Sequence, residues 1–124
     1  MNIRKPRILW TDDEIDLLRA HIIFLQEKGY EVETANNGND AVEKVKDNFY
    51  DIIFLDVRLP DMTGFETFER MKKIDPQATV IMMTGYAEEE LIQSAVGAGA
   101  YAYLYKPFDM ETVITLVETI SRGK

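Results

Sequence analysis

The sequence has 124 residues, 46% of them apolar, which suits a single domain able to bury its own core. Fourteen Lys and Arg against 22 Asp and Glu leave a formal charge of −8, and the longest basic stretch is Lys72-Lys73, so direct nucleic-acid binding is disfavoured. Without cysteine there is neither a disulfide nor a thiolate metal site. With no apolar run long enough to span a bilayer, and no secretion signal in Met1-Asn2-Ile3-Arg4-Lys5-Pro6, the expectation is a soluble, cytoplasmic protein that engages no membrane.

In chain order, apolar runs of strand length alternate with segments of helical period, the signature of repeated βαβ units. Strands are expected near Arg7 to Thr11, Glu31 to Ala35, Asp51 to Asp56, Thr79 to Thr84 and Ala100 to Tyr105. The first, third and fourth are the most continuously apolar and should be central. The second, Glu31-Val32-Glu33-Thr34-Ala35, alternates and reads as an edge. Helical stripes fall at Ile15, Leu18, Ile22, Leu25; at Ala41, Val42, Val45; at Phe65, Phe68, Met71; at Leu91, Ala95, Ala98; and at Met110, Val113, Ile114, Val117. Gly29, Asp75-Pro76 and Gly97 to Gly99 supply stops. The fold class is therefore α/β: a single doubly wound (βα)5 flavodoxin-like domain, with a parallel five-stranded sheet of order 2-1-3-4-5 and helices on both faces. It spans residues 1–124, with about 7–122 as the folded core, and the chain is expected to end where the domain does.

Ligands of such sheets bind outside the carboxyl edge of the strands. Four runs stop there at reactive residues: Ile8-Leu9-Trp10 before Asp12-Asp13, Ile52-Ile53-Phe54-Leu55 before Asp56, Val80-Ile81-Met82-Met83 before Thr84, and Tyr101-Ala102-Tyr103-Leu104 before Lys106. Three carboxylates brought that close oppose one another's ionisation unless a cation intervenes. An oxygen-only donor set suits Mg2+, with Mn2+ able to substitute, whereas zinc prefers His or Cys. An Asp can be a nucleophile toward a phosphoryl group whose charge is neutralised; Asp56 is best placed for that, with Thr84 and Lys106 as donors to phosphoryl oxygens.

The bland readings are helix capping for Asp12-Asp13, a strand-end Thr and a surface lysine. A carboxylate that ends an Ile-Ile-Phe-Leu run is costly without partners, which favours function at Asp56. His21, far in sequence from every proposed ligand, and Trp10, a core residue, are left out of the chemistry.

The segments ILWTDDE (8–14), LDVRLPDMTGFE (55–66), VIMMTGYA (80–87) and GAYAYLYKPF (99–108) together resemble the receiver domain of bacterial two-component response regulators. The resemblance covers almost the whole chain. It implies phosphorylation of Asp56 by transfer from a sensor histidine kinase or a histidine phosphotransfer protein. Asp13 would ligate the metal directly, Asp12 largely through water, and the backbone carbonyl of Arg58 would complete the set with Asp56. Thr84 and Lys106 would clasp the phosphoryl group, Lys106-Pro107 would be cis, and Tyr103 would be the switch aromatic. The altered surface would be the fourth helix, fifth strand and fifth helix, roughly residues 88–122, serving an output domain, an effector or a homodimer. The chain would be a self-catalysing phosphoacceptor switch and not an enzyme in the ordinary sense. Bulky Arg58 and Tyr86, each two residues past a site residue, would slow loss of the phosphoryl group.

Three other functions compete. A haloacid-dehalogenase-type phosphatase needs a second acid where this chain has Arg58. A flavodoxin-like carrier needs a phosphate-cradling loop where this chain has Thr11-Asp12-Asp13-Glu14. A phosphorylation-independent interaction module would not need the complete five-residue set.

Overall fold

The structure, a computed structural model, describes residues 6–85 and 97–123. Five strands form one parallel sheet: β1 (Arg7–Thr11), β2 (Glu31–Ala35), β3 (Ile52–Asp56), β4 (Val80–Thr84) and β5 (Ala102–Tyr105), in the order β2-β1-β3-β4-β5. The continuously apolar runs became β1, β3 and β4, the three internal strands, because both their faces are covered. Among the described residues there are four α-helices: α1 (Arg19–Glu27), α2 (Gly38–Asp47), α3 (Gly64–Ile74) and α4 (Met110–Arg122). The helix expected around Leu91 and Ala95 lies mostly outside the described residues, so α4 here is the fifth helix of the sequence reading.

Strand alternation divides the core into two layers. Ile8, Trp10, Ile52, Phe54, Ile81 and Met83 point to the α1 and α4 side, where they meet Leu25, Val113, Val117 and Ile120. Leu9, Ile53, Leu55, Val80 and Met82 point to the other, against Ala41 and Val45 of α2 and Phe68 and Met71 of α3. Trp10 is fully buried and stacks on Phe54 with ring centroids 4.3 Å apart, as a core residue should.

Local chemistry sets the helix starts. The Asn37 side chain accepts the Asp40 N–H at α2, Thr63 accepts that of Glu66 at α3, and Asp109 accepts that of Thr112 at α4. Gly29, φ +98°, ends the α1 region, and Asp75 caps α3.

Two expectations need correction. The stripe beginning at Ile15 is not one α-helix: Ile15–Leu18 is a 3-10 turn and α1 begins at Arg19. Ile15 and Leu18 stand three apart, a spacing both helix types bring onto one side. Ala98, read as part of a core stripe, lies in a turn and is exposed.

At the amino end of the sheet a polar cluster closes the core. The Arg7 N–H donates to Asp51 Oδ2 at 2.7 Å, the Arg7 guanidinium to Glu33, and the Tyr50 hydroxyl to Glu33 Oε1 at 3.1 Å. Burial of Tyr50, with the hydrogen bond and charge of Glu33, pushes its hydroxyl up to about 12.

Candidate functional site at the carboxyl edge

The ends of β1, β3, β4 and β5 assemble the site. Asp12 follows β1 and is fully buried, with its N–H donating to Ala35 O at 3.0 Å. Its Oδ1 accepts the Glu14 N–H at 2.8 Å, so the side chain closes a tight turn ahead of Ile15. The capping expected of the pair is thus local: the 3-10 turn itself starts at Glu14 with no side-chain cap, and Asp13 is exposed. Asp56 ends β3 and is 6% exposed; its Oδ1 accepts the Arg58 N–H at 3.0 Å. Carboxylate oxygens of Asp12, Asp13 and Asp56 all lie within 4.8 Å of one another.

Lys106 carries the compensating charge. Its ammonium donates to Asp12 Oδ2 at 2.7 Å and to Asp56 Oδ2 at 2.8 Å, joining residues 94 and 50 positions apart in the chain. Desolvation by itself would lower the Lys106 pKa, but hydrogen bonds to Asp12 and Asp56 and their charges outweigh it and hold the ammonium above the usual lysine range. Desolvation pushes Asp56 above the ordinary carboxylate range and the Asp12 charge adds to this, while hydrogen bonds from Lys106 and the Arg58 amide pull the other way. The donor set is oxygen-only and anionic, which fits a hard divalent cation.

Thr84, the last residue of β4, is 1% exposed; its carbonyl accepts the Lys106 N–H at 2.7 Å, which ties β4 to the segment bearing the ammonium. The Lys106-Pro107 peptide bond is cis. Arg58 is exposed on the loop after β3. Tyr103 is 42% exposed and meets Tyr105 edge to face at 5.4 Å; Tyr101 is exposed as well, as alternation along the strand requires. Tyr86 lies outside the described residues. His21 packs its ring edge against Phe108, in the wall of a mainly apolar hollow of about 400 Å³ that also touches Lys106 and Pro107.

Two residues missed in the sequence shape the loop after β3. Gly64 begins α3 so close to the preceding strand end that a Cβ there would lie 2.7 Å from Val57 Cα and closer still to the Asp56 carbonyl. Its N–H donates to Val57 O at 2.7 Å, and Arg58 and Thr63 form an antiparallel bridge that closes the loop. Asp61, at the exposed tip, accepts the Gly38 and Asn39 N–H groups at 2.7 and 2.8 Å. Desolvation works against it, but the amides of Asn39 and Gly38, joined by those of Asp61 and Met62, together hold the Asp61 carboxyl below its usual range. The motif Leu59-Pro60-Asp61-Met62-Thr63-Gly64 announced a turn, but nothing local announced a contact 22 residues away.

Known proteins resemble this chain in sequence and in fold. The family model for the response regulator receiver domain matches residues 8–118. The transcriptional regulatory protein ZraR of Klebsiella oxytoca is 36% identical over 118 residues, 94% of this chain but 27% of that protein. The chain spans only about a quarter of the length of the first curated relatives it matches. The chemotaxis protein CheY of Thermotoga maritima is 32% identical, and the match covers 94% of this chain and 98% of that one. Among solved structures, a CheY-like receiver domain protein from Methanospirillum hungatei superposes with a TM-score of 0.88 at 33% identity, over 96% of both chains.

Proposed function

The chain belongs to the response regulator receiver domain family, and on that premise we propose that it accepts a phosphoryl group on Asp56 from the phosphohistidine of a sensor histidine kinase or histidine phosphotransfer protein. One observation carries this reading. Asp56 ends the central strand as a buried carboxylate whose partner is an ammonium reaching from another loop, inside a cluster of three acids. Family members are phosphoacceptors and not enzymes of the ordinary kind.

In the transfer, an Asp56 carboxylate oxygen attacks phosphorus and the P–N bond breaks, its electron pair returning to the imidazole. Lys106 turns its donors from Asp56 Oδ2 to a phosphoryl oxygen, and the Thr84 hydroxyl takes another. Asp12, Asp13, Asp56 and the Arg58 backbone carbonyl would hold Mg2+, or Mn2+ in its place. When bound, that ion neutralises phosphoryl charge during transfer. The bulky residues Arg58 and Tyr86, each two positions past a site residue, slow loss of the phosphoryl group; a phosphoprotein half-life of seconds in magnesium buffer would contradict this.

Output follows as a population shift. Movement of Thr84 toward the phosphoryl group opens space for Tyr103 to turn inward, which alters β5, α4 and the segment before β5. That surface contacts an output domain, a separate effector or a second copy. The named relatives include transcriptional regulators and a chemotaxis protein, so the output is either transcriptional or by direct protein binding. We place the domain in the cytoplasm, where a histidine kinase would meet it; among the described residues no helix is long and apolar enough to cross a membrane.

The test is chemical. After exposure to phosphoramidate and Mg2+, borohydride reduction should convert Asp56 to homoserine, seen in the peptide containing residues 52–58. Reduction at another carboxylate, or at none, would overturn the assignment.

A further inference from the structure

We infer that Asp61 is a positioning residue for the cation site: it is a strut that locks the loop carrying the Arg58 carbonyl against the first turn of α2. This rests on the proposed function, in which that carbonyl and Asp12, Asp13 and Asp56 hold the metal.

Two segments meet at Asp61. One is the loop after β3, closed on itself by the Arg58–Thr63 bridge and the Gly64 N–H to Val57 O bond. The other is the chain from Ala35 to Asn39, anchored to the acidic turn through the Asp12 N–H to Ala35 O bond. Asp61 joins them with both carboxylate oxygens, one on the Gly38 N–H and the other on the Asn39 N–H. Beneath this link the loop and the helix start are already close-packed: a Cβ on Gly38 would meet Met62 Cγ at 2.5 Å and Thr67 Oγ1 at 2.6 Å. A carboxylate at a helix N-terminus is favourable by itself. This one, though, comes from the loop after β3 and not from the helix's own cap, which Asn37 supplies through the Asp40 N–H at 2.7 Å.

Two caps on one helix end thus separate two roles. Asn37 and Asp61 both stabilise the start of α2, but only Asp61 also fixes the loop after β3. A residue that orients a metal ligand without touching the metal typically changes affinity by about tenfold or more. Linkage adds a reciprocal demand: if the strut favours cation binding, the cation must favour the strut.

The experiment titrates Mn2+ into the protein by electron paramagnetic resonance, for wild type, Asp61→Ala and Asn37→Ala, with thermal unfolding in chelator as a control. Asp61→Ala should bind Mn2+ about tenfold more weakly. Asn37→Ala should unfold at a similarly lowered temperature yet bind as wild type does. In wild type, Mg2+ should also slow amide exchange at Gly38 and Asn39. Unchanged Mn2+ affinity in Asp61→Ala, an equal loss in Asn37→Ala, or no Mg2+ effect on those two amides would each overturn the strut. Failure of wild type to bind Mn2+ would overturn the proposed function with it.

Discussion

Lys106 Nζ stands 2.8 Å from Asp56 Oδ2, and the same ammonium reaches Asp12 at 2.7 Å, so one cation from the loop after β5 satisfies two buried carboxylates at the ends of β3 and β1. Removing it leaves the like charges of two buried carboxylates facing each other. Lys106→Met should cost about 2–3 kcal/mol, at or just below the usual range for breaking a buried pair because the lysine is still 23% exposed. Urea unfolding measures the cost, and phosphoryl uptake from a small donor should fall in the same variant.

Asp13 is the exposed member of the acidic cluster, so its removal relieves repulsion without orphaning a buried partner. Asp13→Asn should unfold in chelator at the wild-type temperature or above it. In wild type, Mg2+ at ten times its dissociation constant should add about 1.4 kcal/mol of stability. The variant should lose most of that gain, which differential scanning calorimetry would detect.

Gly64 has no room for a side chain. Gly64→Ala must displace the start of α3 or the backbone around Asp56 and Val57, at a cost of about 1–3 kcal/mol. Phosphorylation should fall more steeply than stability, because the displaced backbone is that of the acceptor itself. Parallel denaturation and phosphoryl uptake measurements check both.

Tyr50 gives the pH dependence. Its folded pKa, about 12, lies above the ordinary value of 10.0 because of burial, with Glu33 adding to the effect. The folded state therefore keeps its proton where the unfolded chain loses it. This contribution is complete below pH 10 and is lost as pH rises toward about 12. Tyr50→Phe should flatten the alkaline fall in stability relative to wild type, measured by urea unfolding across that interval.

Much of this was readable from the residues. Ile52-Ile53-Phe54-Leu55 has apolar side chains for both faces, so it had to be internal, and the acid that ends it had to sit where strands meet their ligands. The bounds of β1 and β2 follow from their patterns in the same way. β5 begins at Ala102, two residues later than the expected start at Ala100, although Tyr101 already donates its N–H to Val80 O from outside the strand. The 3-10 turn at Ile15–Leu18 was hidden by a spacing that both helix types share. Asp61 was hidden for a different reason: its partners are amides 22 and 23 residues away, and backbone amides leave no mark in a sequence. The double role of Lys106 was half visible, since its place beside Asp56 follows from the strand ends, whereas its bond to Asp12 depends on the closed site.

The most direct test is intact mass after incubation with acetyl phosphate, with and without Mg2+, for wild type and Asp56→Asn. The account predicts one phosphoryl adduct on wild type, dependent on Mg2+ and missing from Asp56→Asn. An adduct that persists in Asp56→Asn, or none on wild type with any divalent ion, would contradict it and leave a receiver fold that works without phosphorylation.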